Sequence, residues 1–126
     1  MIEGMETSLV VLRGDSLVTE RRYQAELIKR LRELFPGCLI LKNDSSYMQG
    51  VPDLIILYHD RWGMLEVKAS ANSAFQQNQA YYVSELNRMS FAAFIYPEVE
   101  EEVLHDLATA LLGPKSKRRA PRRSTG

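Results

Sequence analysis

The sequence predicts an α/β fold: a central sheet with helices on its faces. Three observations carry this. Four short apolar runs of strand length occupy residues 38–42, 53–58, 64–68 and 91–96. Three longer segments, 19–35, 74–89 and 98–112, repeat apolar residues at helical spacing. The two kinds interleave as α-β-β-β-α-β-α, and strands mixed with helices imply helices packed on a mixed sheet. A chain of 126 residues, 45% hydrophobic and 25% charged, suits one globular domain.

Residues 1–18 are expected to form an N-terminal arm, with 8–13 (SLVVLR) as a short strand or an ordered stretch of it. Thr19 reads as an N-cap. Tyr23, Leu27, Ile28, Leu31, Leu34 and Phe35 then make a helical stripe that Pro36-Gly37 stops. Residues 38–42 (CLILK) form the first strand. Residues 43–52, rich in Asn, Asp, Ser, Gly and Pro, form a loop. Residues 53–58 (DLIILY) are the second strand and 59–63 (HDRWG) a longer hairpin connection. The third strand, 64–68 (MLEVK), alternates cleanly. Asn72 or Ser73 caps a helix over 74–89, with Phe75, Gln79, Tyr82, Val83 and Leu86 as its buried stripe. The uncharged run 91–96 is a core strand ended by Pro97. A last helix spans 98–112, with acids in its first turn where the dipole favours them.

The folded domain thus runs over 19–113, leaving 114–126 as a disordered basic tail. The net charge is zero, from 16 basic and 16 acidic residues, but the balance is uneven. Lys115, Lys117, Arg118, Arg119, Arg122 and Arg123 carry six positive charges in the tail, and no acid joins them. The body is therefore acidic. The tail reads either as a nucleic-acid arm or as an aid to solubility that screens the body. No apolar run approaches a membrane span, and no secretion signal is evident. Cys38, the single cysteine, excludes an intramolecular disulfide and a Cys-based zinc site. A cytoplasmic location is expected.

Chemistry concentrates on the second and third strands. Asp53 stands at the mouth of one, and Glu66 and Lys68 sit two apart on the other. Alternation points Glu66 and Lys68 the same way, and the turn folds Asp53 back towards Glu66. Strand-borne Glu and Lys can also lie on a solvated face. Two more residues bear on the choice. Glu20 shares a helical stripe with Gln24, Leu27, Ile28 and Leu31, so it reads either as part of a site or as a first-turn acid favoured by the dipole. Glu26 lines up with Arg22, Lys29, Arg30 and Glu33 on the wet side. Gln79, inside an apolar stripe, needs partners for both amide groups: a carboxylate, a phosphate or nearby backbone.

These residues resemble the PD-(D/E)xK nuclease superfamily: Gly50-x-Pro52-Asp53, then Glu66-x-Lys68, then Gln79-x-x-Tyr82. The opening Thr19-Glu20-x-x-Tyr23-Gln24 and the Gly-Val-Pro-Asp stretch resemble the VRR-NUC branch. The stretches LFPGCLILKND, YMQGVPDLIIL and SFAAFIYPE resemble small phage-encoded members of it. The resemblance covers about residues 19–112, and the first 18 residues match no core motif.

The resemblance implies a restriction-endonuclease-like core and a Mg²⁺- or Mn²⁺-dependent nuclease acting on DNA. Asp53 and Glu66 would hold the metal with the Val67 carbonyl, and Glu20 would contribute from the first helix. Lys68 would stabilise the attacking water or the developing charge, and Gln79 would orient Lys68 or a phosphate. Some small members resemble Holliday-junction resolvases and act as homodimers, so branched DNA is the expected substrate. Lys42, Tyr47 and Gln49 join the tail cations as candidate DNA contacts, though the loop bearing the last two also simply turns the chain. His59 and His105 read as surface residues, lacking a second ligand at metal spacing. Trp62 reads as hairpin packing or as a stacking residue. Two other functions remain open: a DNA-binding module without catalysis, and an interaction protein whose acidic last helix docks a basic partner.

Overall fold

The computed structural model describes residues 15–44 and 46–114, the first four as backbone only. The expectations for the strand at 8–13 and for the six tail cations lie outside the described residues.

Helix α1 (Asp15–Leu34) leads into strand β1 (Leu39–Lys42). Strands β2 (Leu54–Tyr58) and β3 (Arg61–Val67) follow, then helix α2 (Gln79–Met89) and strand β4 (Ala92–Ile95). A 3-10 turn (Pro97–Val99) opens helix α3 (Glu100–Leu112). The sheet runs β1-β2-β3-β4. Its first two pairings are antiparallel, and β3 pairs with β4 in parallel across the α2 crossover. The α/β class and the element order agree with expectation. Among the described residues, no helix is long and apolar enough to cross a membrane.

One core fills one side of the sheet. Leu54 and Ile56 of β2, Leu65 and Val67 of β3 and Ile95 of β4 are buried against Leu27, Leu31 and Phe35. Val103, Leu104, Leu107 and Leu111 of α3 complete it. Gly63 lets α3 approach closely, since a β-carbon there would meet Leu107 Cδ1 at 2.7 Å. Helix α2 packs on β3 and β4. Because side chains alternate along β3, burying Leu65 and Val67 in the core turns Glu66 the other way.

Several boundaries differ from expectation for local reasons. Helix α1 starts at Asp15, one turn before Thr19, so Thr19 lies inside the helix. Arg30 lies on a partly exposed face, but it is not free in solvent. It bonds to Glu100 and Glu101, while Tyr23 Oη donates to Glu100 Oε1 at 2.8 Å. This clamp ties α1 to α3, so two of the acids read as dipole partners or as a docking face serve an internal contact. The hairpin connection is two residues, His59-Asp60, because Arg61, Trp62 and Gly63 pair within β3. His59 takes φ 58°, a left-handed conformation that histidine tolerates better than most residues. His59 and His105 are exposed, as expected.

The largest difference precedes α2. Residues 74–78 are not helical, and Phe75 is exposed rather than on a buried stripe. Side chains satisfy this backbone locally. Ser73 Oγ accepts from the Ser70 N–H, and Ser70 Oγ from the Asn72 N–H. Lys68 takes the Ala74 carbonyl, and Gln79 Oε1 takes the Gln76 N–H. Asn78 then sits at φ 71°, which bars the helix from extending backwards.

Candidate active site

Two loops and one strand build the site. Asn43 holds the turn before β2 from both sides: its N–H donates to the Asp53 carbonyl at 2.8 Å, and its amide to the Pro52 carbonyl at 2.6 Å. The Asp53 carboxylate is thereby aimed at the end of β3, where Oδ2 accepts the Val67 N–H at 2.9 Å. The Val67 carbonyl belongs to the same stretch of strand. Gly50 makes the neighbouring crossing possible. It has φ +96°, and a β-carbon on it would lie 2.7 Å from Asn78 Cβ. The loop before β2 and the loop before α2 therefore meet at Gly50.

Glu66, Lys68 and Gln79 are the buried polar side chains of the described residues, 3%, 5% and 9% exposed. They form one network. Gln79 Nε2 donates to Glu66 Oε2 at 2.9 Å, and Lys68 Nζ donates to Gln79 Oε1 at 2.7 Å and to the Ala74 carbonyl at 3.0 Å. Lys68 Nζ stands 3.6 Å from Glu66 Oε2, an ion pair but not a good hydrogen bond. So Gln79 finds both a carboxylate and a backbone group. It fixes the glutamate and the lysine relative to each other.

One atom is left over. Glu66 Oε1 is buried and meets no hydrogen-bond partner among the described residues. Burial chiefly, then the charges of Asp53 and Glu20, push Glu66 up to about 8, against the opposing pull of Lys68. Burial also raises Asp53, although the Val67 N–H and the charges of Lys68 and Lys42 pull it down. Glu20, half-buried, is raised by burial and by the charge of Asp53. Glu66 carrying a proton becomes a hydrogen-bond partner of Asp53. Three acids against one ammonium leave two negative charges when all are ionised. The cluster must take up protons or a cation.

A divalent metal fits that requirement. The donors are hard oxygens, suited to Mg²⁺ or Mn²⁺. The unpartnered Oε1 is a vacant acceptor beside a second carboxylate. Among the described residues, however, no three His, Cys, Asp or Glu side chains gather closely enough to hold an ion by themselves. A metal would therefore rest on Asp53, Glu66, the Val67 carbonyl and water. Glu20 bears on Asp53, Glu66 and Lys68 through its charge.

Of the candidate DNA contacts, Lys42 is exposed at the end of edge strand β1, close enough for its charge to act on Asp53. Tyr47 is 85% exposed and Gln49 is also exposed. Trp62 is half-buried within β3, and its carbonyl accepts from Ser90 Oγ. Sequence reasoning missed Asn43, the Ala74 carbonyl and the turn at Asn78. Asn43, next to an Asp-Ser-Ser turn cluster, carried a faint signal; the carbonyl carried none. Compared with protein-family models, curated proteins and solved structures, the chain matches none.

Proposed function

We propose that this chain is a divalent-metal-dependent nuclease that hydrolyses DNA phosphodiester bonds at the Asp53–Glu66–Lys68 site. The observation that carries the reading is the buried, unpartnered Glu66 Oε1 beside Asp53, with the Lys68 ammonium held next to it. A buried carboxylate oxygen without a partner is costly, and a proton shared with Asp53 or a cation held between the two carboxylates relieves that cost. The resemblance of Gly50-x-Pro52-Asp53, Glu66-x-Lys68 and Gln79 to the PD-(D/E)xK pattern supports the same reading.

A bound Mg²⁺ or Mn²⁺ supplies a water of lowered pKa and neutralises charge on the phosphate. Asp53, Glu66 and the Val67 carbonyl would hold it. Asn43 and the Val67 N–H keep Asp53 in place for that task. Lys68 spends two of its three protons on Ala74 and Gln79. The third, directed loosely at Glu66, is free for a phosphate oxygen or the attacking water. Gln79 stops Lys68 from collapsing onto Glu66, so the cation stays aimed where charge develops.

Branched DNA and a homodimer belong to the proposal. One chain brings one such constellation, so symmetric cuts across a junction need two chains, and twofold pairing is the commonest assembly. The test is a cleavage panel of labelled junction, flap, splayed and linear DNA with Mg²⁺, with Mn²⁺ and with EDTA. Metal-dependent cutting of any substrate, lost in Asp53→Asn, is expected. Binding without cutting on every substrate would leave a DNA-binding module instead.

A further inference from the structure

The rim of the site presents an aromatic ring that the carboxylates and the lysine do not need. Phe75 is 60% exposed, yet it is held firmly. Its ring stacks on Phe94 with centroids 4.5 Å apart and planes 4° from parallel. The carbonyl of Ala74, its neighbour, is bonded to Lys68 Nζ, which itself lies 5.7 Å from the Phe75 ring centroid. A large apolar ring in contact with water forgoes much of its hydrophobic gain, and what sets Phe75 apart from the other exposed apolar side chains is its fixed stacking beside the buried lysine. A second ring, Tyr47, is exposed on the other loop, and the two loops touch at Gly50 and Asn78. A hydrogen-bonded turn sets Tyr47: its N–H donates to the Asp44 carbonyl, and Asp44 Oδ1 accepts from Ser46.

We propose that Phe75, with Tyr47 as a second platform, stacks unpaired nucleobases beside the phosphate that Lys68 faces, so that the site selects single-stranded nucleotides. Only the identification of the ligand as nucleic acid rests on the nuclease reading. A nucleotide joins a flat apolar base to an anion, and this rim joins a flat ring to an ammonium. In a duplex both faces of a base are already covered by neighbours, so an exposed ring gains nothing there. In a single strand or an opened junction arm one face is free, and stacking on an aromatic side chain adds substantial affinity for any base. A helix reaching back to residue 74 would take the Ala74 carbonyl from Lys68 and lift Phe75 off Phe94.

Binding measured without cleavage tests this. The full chain carrying Asp53→Asn is titrated, by fluorescence anisotropy, into labelled oligothymidylate and into a duplex of equal length. Adding Phe75→Ala is expected to weaken single-strand binding about tenfold and leave duplex binding within about twofold. Phe75→Leu, which keeps apolar packing on Phe94, should behave like Ala, and Phe75→Trp like the parent. An abasic strand should bind the parent poorly, and should bind the Phe75→Ala, Tyr47→Ala protein as the base-bearing strand does. Equal affinities for parent and Phe75→Leu would overturn the inference, as would equal losses on single strand and duplex. Because Asp53→Asn binding needs no catalysis, Phe75-dependent single-strand binding in a protein whose wild type never cuts DNA would sink the nuclease reading and uphold this one.

Discussion

Replacing Glu66 with glutamine should make the metal-free protein more stable at alkaline pH while removing its response to metal. The buried Glu66 carboxyl titrates near 8 instead of 4.5. The folded chain thus holds this proton more tightly than the unfolded chain. The stability contributed is fully present below about pH 4.5 and is lost as pH rises through about 8. At about 1.4 kcal/mol per unit, the full loss is on the order of 5 kcal/mol, and about 4 kcal/mol of it falls between pH 5 and pH 8.5. For a domain of this size it corresponds to roughly 15 °C in midpoint. In Glu66→Gln the carbonyl still accepts from Gln79, and the amide hydrogens replace the proton facing Asp53. Thermal unfolding in EDTA at pH 5 and pH 8.5 checks this: the wild-type midpoint should fall with pH much more than the variant's. Mn²⁺ at pH 8.5 should restore the wild type and leave Glu66→Gln unmoved. A wild-type midpoint in EDTA that falls no more than the variant's would refute the reasoning, because Glu66 would then carry no burial penalty for a cation to relieve.

Lys68→Ala should slow cleavage by roughly a hundredfold or more while retaining Mn²⁺ binding by calorimetry, since it removes a charge aimed at the transition state and not a ligand. Gly50→Ala places a β-carbon 2.7 Å from Asn78 at φ +96°, and urea unfolding should show a loss of about 2 kcal/mol or more. Deleting residues 114–126 removes six cations, so if the tail neutralises phosphates the salt dependence of DNA binding should flatten by about 5 in log–log slope. Arg30→Ala, which breaks the clamp between α1 and α3, should cost about 1 kcal/mol or less and leave metal binding intact.

How far the sequence could be read depended on which forces acted locally. The β2–β3 hairpin was legible because apolar runs flank a polar turn, and the two-residue period placed Glu66 and Lys68 together opposite Leu65 and Val67. Gly50 was legible as a close approach, although its partner, Asn78, was not. The start of α1 was read at Thr19, four residues late, because a capping residue stands there, although nothing between Asp15 and Thr19 breaks a helix. The segment before α2 misled for a clearer reason. Phe75 lies four residues before Gln79, so the pair mimics a helical stripe. The helix is stopped by tertiary contacts: Lys68 from β3 claims the Ala74 carbonyl, and the crossing with Gly50 accompanies the left-handed turn at Asn78. No local propensity reports a lysine arriving from another strand. The pairing of Arg30 was hidden likewise, because its partners, Glu100 and Glu101, lie far along the chain.

On the reading proposed above, Glu66 and Asp53 await a divalent cation. Titration of the full chain with Mn²⁺ by calorimetry, at pH 7 in two buffers of different ionisation enthalpy, tests it most directly. The expected result is saturable binding that releases about one proton, held by Glu66 before the metal arrives, and that disappears in Asp53→Asn. Binding that is absent in the wild type, or that persists unchanged in Asp53→Asn and Glu66→Gln, would contradict the claim.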